Sequence, residues 1–328
     1  MKTLITGANG FVGSAVLRLL INKGHEVRAL VRPDSDRRNF DGIELEVIEG
    51  DLRNTDSLER AVKDCNNVFH IAADYRLWLP DPDAMYATNV HGTRDLIIAA
   101  TEAGVERIVY TSSVATLGIN KNGMVSDETT PVTLEDMIGH YKRSKYLAEQ
   151  EVHKLVKEMA SPVVIVNPST PVGPRDVKPT PTGRIVLDTI RQRMPAYVET
   201  GLNIVHVDDV ANGHLLALEK GNIGERYILG GDNMTLAEIL EYICVNQGMT
   251  PPTIRLPHNL VLPIAWIMER IASITHKEPR ATVESVRMSK KIMFFSSEKA
   301  RKDLDYKSRP GLEGLEDAIK WFNAENYV

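Results

Sequence analysis

Two side chains suited to acid/base chemistry, Tyr141 and Lys145, lie four residues apart in the segment YKRSKYLAEQEV, whose pattern predicts a helix. A separation of four residues places both side chains on one face of a helix. A tyrosine ordinarily has a pKa of about 10, and a neighbouring ammonium group lowers that pKa by favouring the phenolate. The pair therefore predicts a general acid/base in which Tyr141 exchanges a proton with a carbonyl or hydroxyl oxygen.

A third polar group is expected where the predicted strand of residues 107–111 ends, in the sequence VYTSSVATLG. Ligand sites of α/β proteins form at the carboxyl ends of the strands. Ser113 is the candidate hydrogen-bond partner of a substrate carbonyl or hydroxyl, and Ser112 is the competing choice. A purely structural role, in which both serines cap or turn the chain, is the alternative.

A glycine-rich turn, TGANGFVG, follows the first apolar run and precedes a helical pattern. Gly7 permits a tight turn, Gly10 lets the backbone approach a pyrophosphate, and Gly13 lets the helix pack close to the strand. The helix N-terminus offers N–H groups and a positive dipole end to phosphates. The turn therefore predicts a dinucleotide site, and its assigned residues are Gly7, Asn9, Gly10, Phe11, Val12 and Gly13.

The end of the second predicted strand, VRALVRP, bears on which dinucleotide binds. An acidic residue there binds the ribose 2′-hydroxyl of NAD, whereas an arginine accommodates the 2′-phosphate of NADP. Arg32 occupies this position, with Arg37 and Arg38 close behind it. We therefore expect NADP, with NAD as the alternative. The alternative without a cofactor role is that these arginines form a solvent-exposed surface.

Other strand ends supply further candidates for cofactor contact. Asp51 could accept a hydrogen bond from the adenine amino group, and the small side chains of Ala72 and Ala73 would let the cofactor lie against the backbone. Asn89, a polar residue within a helix, could brace a backbone turn beside the site. The remaining cofactor-contact candidates, beyond the glycine turn and Arg32, are Asp51, Leu52, Ala72, Ala73, Asn89, Thr111, Tyr141, Lys145 and Pro168.

The elements that position these residues alternate through the first half of the chain. The predicted strands are residues 3–6, 26–31, 44–48, 68–72, 107–111 and 162–166, and the predicted helices are 12–22, 57–63, 84–103 and 140–157. This alternation predicts an α/β fold, a doubly wound, parallel Rossmann sheet that binds NAD(P), with a smaller C-terminal substrate-binding region. We place the dinucleotide-binding domain at residues 1–167, with a strand and helix at 204–218 returning to it, and the substrate-binding region at 168–328.

The second half has a different rhythm. Residues 168–181 contain five prolines, which predicts a loop, and helices are expected at 236–246 and 260–273. The apolar stretch 259–275 includes Pro263, Glu269 and Arg270, so we expect no transmembrane segment. A helix packed on the core is the first expectation there, and a helix on a membrane surface is the second.

Composition narrows the class of protein. The 328 residues carry a net charge of −5, which gives no electrostatic reason to expect nucleic acid as a partner. Cys65 and Cys244 form no CxxC-like motif, so two buried thiols in a reducing cytoplasm are expected. The histidine spacing predicts no metal site. The N-terminal MKTLITG is predicted to be a first strand, not a signal peptide.

The motifs together resemble the extended short-chain dehydrogenase/reductase family: TGANGFVG, the paired serines, YKRSK and IVHVDDVANGHLLAL. The segments AADYRLWLPDP, IGHYKRSKYLAEQE, NPSTPVGPRDVKPTPTGRI and RMSKKIMFFSSEKA resemble in particular the hopanoid-associated sugar epimerase family, which is itself similar to dihydroflavonol-4-reductases. The resemblance implies a catalytic set of Ser113, Tyr141 and Lys145, a bound nicotinamide cofactor and a homodimer.

Two positions depart from the pattern of nucleotide-sugar epimerases. In those enzymes the segment after the sixth strand resembles RPFNVYGP, and a later segment resembles RDYIHVxD. The Asn of the first segment and the Arg of the second could hold a nucleotide diphosphate. This chain has Thr170 and Leu202 at the corresponding positions, and NPSTPVGP is nearer to the dihydroflavonol reductase version. Polar groups for a diphosphate are therefore missing, although Arg175 or Arg184 could replace them.

The expected activity is hydride transfer at a carbonyl or carbinol carbon of a small carbonyl or sugar-like molecule. It could be a sugar epimerase or dehydratase, as the resemblance implies, or an NADPH-dependent ketone or aldehyde reductase. A nonenzymatic dinucleotide sensor is the alternative of another class, but such a protein need not keep an acid/base. The segment YRLWLP could form a pocket wall, or could pack a loop on the core. The substrate-contact candidates are Tyr75, Arg76, Trp78, Ser113, Thr170 and His206.

Overall fold

The computed structural model describes the chain apart from residues 77, 78, 80, 276–278, 280 and 281, and apart from the side chains of residues 122, 273 and 274. Its strands are β1 (Lys2–Thr6), β2 (Glu26–Val31), β3 (Glu46–Glu49), β4 (Asn67–His70), β5 (Arg107–Thr111), β6 (Val163–Pro168), β7 (Thr170–Val172), β8 (Ala196–Tyr197), β9 (Gly201–His206), β10 (Arg226–Leu229), β11 (Asp232–Thr235) and β12 (Ile254–Arg255). Its helices are α1 (Phe11–Asn22), α2 (Thr55–Val62), α3 (Asp83–Tyr86), α4 (Gly92–Glu102), α5 (Gly139–Met159), α6 (Pro181–Ile190), α7 (Val207–Lys220), α8 (Leu236–Asn246), α9 (His258–Thr275), α10 (Val283–Ser289), α11 (Glu298–Leu304) and α12 (Gly311–Ala324). A π-helical turn, Ala87–His91, joins α3 to α4.

A seven-stranded parallel sheet in the order β10-β6-β5-β4-β1-β2-β3 forms the centre of the molecule. Apolar side chains of the sheet pack into two cores. One core lies under α1 and α7, and the other under α2, α4 and α5. The central strands are continuous apolar runs because both of their faces are covered. The doubly wound α/β fold expected from the sequence is confirmed.

The strand order reverses between β1 and β4, which are neighbours in the sheet although they are far apart in the sequence. In doubly wound sheets this reversal opens a crevice at the carboxyl ends of the strands, and ligands bind there. The glycine turn follows β1 directly, and Ala72 follows β4. Both therefore lie at the crevice.

The second half of the chain builds a smaller sheet in the order β11-β9-β7. A separate core joins this sheet to α6, α8 and α12. The prediction that both elements of residues 204–218 return to the first sheet is wrong for the strand, because β9 pairs with β7 and β11 instead. The helix α7 does pack on the first sheet, and the strand that joins that sheet is β10, parallel to β6.

The proline-rich segment 168–181 is only partly a loop. β6 continues to Pro168, and β7 follows at once, pairing in parallel with β9. The loop proper then ends at Thr180, whose side chain caps α6 by accepting a hydrogen bond from the Gly183 N–H. β7 can contain Pro171 because this short strand lies at the edge of the small sheet.

The long apolar helix of the second half is α9, which contains Pro263. Among the described residues, no helix combines the length and the apolar content needed to cross a lipid bilayer. Cys65 and Cys244 are both buried free thiols, as expected.

Candidate active site

The glycine turn brings α1 very close to β1 and β4. Gly7 has a φ of +76°, and a Cβ atom there would lie 2.8 Å from the backbone nitrogen of Ala72. A Cβ atom at Gly13 would lie 1.9 Å from the carbonyl oxygen of Gly7. Side chains are therefore excluded at both positions, and the backbone of the turn stays open to the crevice. This geometry fits the close approach of a pyrophosphate.

The N-terminus of α1 begins at Phe11, with Gly10 as its N-cap. Gly10 donates a backbone hydrogen bond to Gly7 (2.9 Å), and no side chain of the described residues caps the helix. The carbonyl oxygen of Asn9 accepts a hydrogen bond from the buried Asn39 side chain (3.1 Å), which holds the turn against the segment after β2. An uncapped helix start of this kind accommodates an anionic group. Val12, the next residue of this first turn, remains a predicted cofactor contact.

The three arginines after β2 differ in their partners. Arg37 pairs with Glu49 (2.6 Å) and Arg38 pairs with Asp36 (2.7 Å). Arg32 is exposed and forms no ion pair with any described residue. It lies near the crevice, because its charge contributes to the lowered pKa of Asp51 after the larger effect of the hydrogen bonds from Arg53. Arg32 is therefore the arginine that is available to a phosphate.

Asp51 is engaged more fully than the sequence indicated. Its carboxylate accepts two side-chain hydrogen bonds from Arg53, of 2.9 and 2.8 Å. An adenine amino group could donate a hydrogen bond only to the lone pairs of the Asp51 carboxylate that Arg53 does not use. Leu52 is buried beside Gly92, where a Cβ atom would come within 3.0 Å of the Leu52 carbonyl oxygen. The Ala72 N–H donates to the hydroxyl of Thr6 (3.1 Å), and Ala73 is partly exposed.

Asn89 lies in the π-helical turn and is buried. Its side-chain oxygen accepts from the Asp74 N–H (2.7 Å), and its side-chain nitrogen donates to the Asp74 carbonyl (2.8 Å) and to the Ser144 hydroxyl (3.0 Å). The expectation that Asn89 braces a backbone turn is confirmed, since it ties the chain after β4 to α5. Its contact with a cofactor stays a prediction.

Tyr141 and Ser113 come together at the carboxyl edge of the sheet. Tyr141 lies in the first turn of α5, and Ser113 lies two residues beyond the end of β5. Burial raises the pKa of Tyr141, and a side-chain hydrogen bond with Ser113 opposes that increase. The charge of Tyr75 also raises this pKa, so Tyr75 lies at the same site.

Lys145 is buried one helical turn beyond Tyr141, and its ammonium group has other partners. Its Nζ atom donates to the Tyr110 hydroxyl (3.0 Å) and to the Thr111 carbonyl (2.8 Å). Burial lowers the pKa of Lys145 to about 7. In this arrangement the pKa of Tyr141 is raised and not lowered, because removal of the phenol from water has the largest effect on it.

Ser112 and Ser113 have different surroundings. The Ser112 hydroxyl is buried and donates to the carboxylate of Glu149, whereas the Ser113 hydroxyl accepts from the Ala115 N–H (3.1 Å) and meets Tyr141. Ser113 is consequently the serine that can reach a reacting oxygen. Thr111 contributes through its backbone to Lys145, and its hydroxyl bonds His214 (2.8 Å).

Glu149 is a site-supporting residue that the sequence reasoning missed. It is 1% exposed and accepts hydrogen bonds from Thr116 (2.9 Å) and Asn167 (3.0 Å) in addition to Ser112. Its other oxygen pairs with Arg226 at 3.0 Å. Asn167 also donates to the Ser113 carbonyl (3.0 Å), so this network holds the turn that carries Ser113. The sequence signal that could have identified Glu149 is its position eight residues after Tyr141 in the same helix.

Two of the substrate candidates after β4, Tyr75 and Arg76, lie in the described part of the chain. Tyr75 is 43% exposed. Arg76 forms a two-pronged ion pair with Asp74, with an Nε to Oδ1 distance of 2.9 Å. Trp78 lies outside the described residues, as does Leu77. Thr170 is half-buried in β7, directly after β6 and its last residue, Pro168.

His206 does not have the position that a substrate contact requires. It is 1% exposed, and its Nδ1 accepts from the Asp208 N–H (3.0 Å) as the N-cap of α7. Its Nε2 lies 3.2 Å from a carboxylate oxygen of Asp317 in α12. Both ring nitrogens are thus used within the protein. We correct the substrate assignment of His206 to a structural one, since it caps one helix and fastens another.

The arginines that could hold a diphosphate in place of the missing one, Arg175 and Arg184, make contacts within the protein. Leu202 packs in the core beneath the small sheet. The Arg175 guanidinium pairs with Asp208. Arg184 donates to the Pro179 carbonyl (3.3 Å). These contacts do not support a role for Arg175 or Arg184 as a replacement for the arginine that nucleotide-sugar epimerases have at the position of Leu202.

Known proteins resemble this chain over almost its full length. The chain is 42% identical over 328 residues to a putative dihydroflavonol 4-reductase of Synechocystis sp., covering 99% of this chain and 95% of that protein. It is 33% identical to sterol demethylase protein B of Methylococcus capsulatus, covering 100% of both chains. The crystal structure of gox2253 superposes with a TM-score of 0.89, at 55% identity and 99% coverage of both chains.

These likenesses cover nearly the whole chain. A family model matches residues 3–230, a stretch that begins within β1 and ends after β10, the last strand of the large sheet. The chain belongs to the NAD dependent epimerase/dehydratase family.

Proposed function

We propose that this protein is an NADP-dependent oxidoreductase that interconverts a ketone and a secondary alcohol on a mainly apolar molecule without a nucleotide diphosphate. The observation that carries the proposal is the closeness of the Ser113 and Tyr141 side chains, Ser113 just after β5 and Tyr141 in the first turn of α5, at the carboxyl edge of the sheet. The pair lies at the edge of the sheet where the uncapped start of α1 also opens.

The chain's own residues have distinct tasks in this reaction. When bound, the reduced cofactor supplies the hydride that adds to the carbonyl carbon. Ser113 donates a hydrogen bond that holds the carbonyl oxygen, and Tyr141 transfers its phenolic proton to that oxygen as the alcohol forms. A raised pKa keeps Tyr141 protonated near neutral pH, which is the form that reduction requires. Lys145, with a pKa near 7, would return a proton to Tyr141 or hold the nicotinamide ribose.

The substrate class follows from what the second half of the chain offers. Leu202 is in a core and Arg175 is paired, so a diphosphate lacks a cation at those positions. The names of the similar proteins, a putative dihydroflavonol 4-reductase and a sterol demethylase protein, refer to ring systems that carry no nucleotide diphosphate. Small-molecule pockets are mostly apolar with a few polar anchors. We infer a ring-containing or lipid-like ketone, with Tyr75 and Thr170 at its edge.

A sugar epimerase or dehydratase is the second candidate, because the matching family model carries that description. A turnover panel with NADPH separates the two. We expect oxidation of NADPH with flavonoid-like or steroid-like ketones, and none with UDP- or dTDP-sugars, simple aldehydes or free polyols. Product analysis must show the alcohol. Productive turnover of a nucleotide sugar, with inversion at a carbinol carbon, would replace the reductase proposal by the epimerase.

Cofactor choice gives a prediction about Arg32. NADPH should bind more tightly than NADH, because a charge-assisted hydrogen bond to the 2′-phosphate contributes about 1–3 kcal/mol. Arg32→Ala should therefore weaken NADPH binding by roughly 5- to 150-fold and leave NADH binding nearly unchanged. Titration calorimetry with both cofactors measures this. Arg37→Ala is the matched control, since Arg37 already pairs with Glu49. Equal affinities of the wild type for NADPH and NADH would refute the NADP assignment.

A further inference from the structure

Helix α9 divides its side chains between protein and solvent in an unusual way. Ala265 and Ala272, two small residues, are buried against the protein. The large apolar side chains face outward, and more than half of each is exposed: Leu260, Ile264, Trp266, Ile267 and Ile271. Surface helices of globular proteins normally turn such side chains toward the core. α9 therefore presents to the outside the kind of face that is usually buried.

The exposed side chains form one continuous stripe. Leu260, Ile264, Ile267 and Ile271 follow the four-three-four spacing of a single helix face. Trp266 lies beside the stripe, and the Arg270 guanidinium lies 5.1 Å from the centre of its ring. Contiguous apolar patches with a polar rim mark surfaces that bind a protein or a membrane.

The charges around α9 distinguish these two kinds of partner. Residues 254–291 contain seven Lys or Arg and three Asp or Glu, a net charge of +4, whereas the rest of the chain carries −9. Arg270, Arg287 and Lys290 are exposed. The two acidic groups of this segment that the structure describes make contacts within the protein: Glu269 accepts from the Val283 N–H (2.8 Å), and Glu284 fills the space above Gly139. The outer surface of this segment is therefore cationic as well as apolar.

We propose that α9 docks on the surface of an anionic lipid bilayer and lies in the plane of the interface. An apolar helix face with a tryptophan, bordered by arginine and lysine, binds such surfaces by burying apolar area and attracting anionic headgroups. A second copy of the chain fits less well, because a two-fold interface would place the cationic segment against itself.

The position of α9 connects this docking to the candidate active site. The Glu269 carboxylate of α9 accepts a hydrogen bond from Val283 of α10. Glu284 of α10 in turn lies against Gly139, the first residue of α5, which is two residues before Tyr141. This step rests on the proposed function, since an apolar ketone partitions into the bilayer and would be taken up there. The bilayer then acts as the reservoir from which the enzyme draws its substrate.

Vesicle sedimentation of the full chain tests the docking without measuring turnover. We expect binding to vesicles containing roughly one third phosphatidylglycerol to be at least ~10-fold stronger than to phosphatidylcholine alone. The double variant Ile264→Gln, Ile267→Gln should lose at least ~10-fold of that binding, because both side chains leave the apolar face. The control, Ile223→Gln with Val245→Gln, changes two side chains elsewhere that are at least as exposed as Ile267 and should bind like the wild type.

Three results would overturn the docking: no binding of the wild type to anionic vesicles, equal binding of the two double variants, or a solution dimer that only the α9 variant loses. Circular dichroism checks that both variants are folded. Turnover of a water-soluble ketone without vesicles should be the same in all three proteins. Absence of vesicle binding therefore refutes the docking alone, and absence of ketone turnover refutes the proposed function alone.

Discussion

Tyr141→Phe should lose at least ~10²-fold in turnover of a ketone substrate, while NADPH binds as it does to the wild type. The substitution removes the hydroxyl that meets Ser113 and leaves the ring in place. Because proton transfer to the carbonyl oxygen accompanies hydride addition, loss of the proton donor reduces kcat. The cofactor site at the glycine turn is not altered. Stopped-flow oxidation of NADPH and calorimetric titration give the two quantities.

Tyr146→Phe is the matched control for this experiment. Tyr146 lies five residues further along the same helix and borders a surface groove near His153. Its hydroxyl has no part in the proposed reaction, so turnover should stay within twofold of the wild type, or about 0.4 kcal/mol. Normal turnover by Tyr141→Phe on a verified substrate would mean that another group is the acid.

Glu149→Ala should destabilise the fold by about 3–5 kcal/mol, the typical cost of breaking a buried ion pair. The carboxylate serves Arg226, Asn167, Thr116 and Ser112, and its loss leaves buried donors without a partner. Urea denaturation gives the free energy of unfolding. Glu149→Gln keeps one acceptor oxygen and the volume, so it should cost less.

Glu158→Ala, at an exposed position of the same helix, is the control and should change stability by less than about 0.5 kcal/mol. The network also holds the turn with Ser113, so Glu149→Gln, if folded, should show a lower kcat with little change in NADPH affinity. A free energy of unfolding for Glu149→Ala within about 1 kcal/mol of the wild type would contradict this account of the network.

Local patterns were sufficient for much of the first half of the chain. The strands predicted at 26–31 and 107–111 coincide with β2 and β5, because apolar runs that end in turn residues are the signal of a strand buried on both faces. The glycine turn was readable because tight turns and close backbone packing exclude side chains. At Gly7 and Gly13 the structure shows that exclusion directly.

The errors share a different physical origin. The alternation of apolar residues marks β9 as a strand, but the choice of β7 and β11 as its neighbours depends on pairing between distant segments. Glu149 reads as an ordinary helix residue because its partner, Arg226, is 77 residues away. His206 looked like a polar residue free to reach a ligand, whereas Asp317 and the start of α7 use both of its ring nitrogens. Non-local contacts decide burial and partners, and periodicity does not report them.

The order of the strands has a consequence for synthesis on the ribosome. β6 acquires its outer neighbour only when β10 has been made, since the chain builds β7, α6, β8, β9 and α7 in between. At 5–20 residues per second, the roughly 60 intervening residues take about 3–12 s. During that time a strand whose residues are all buried in the finished fold has an unpaired edge, which is a template for association with other chains. A nascent chain stalled before residue 226 should therefore be a chaperone client, whereas one that has passed residue 229 can close its sheet.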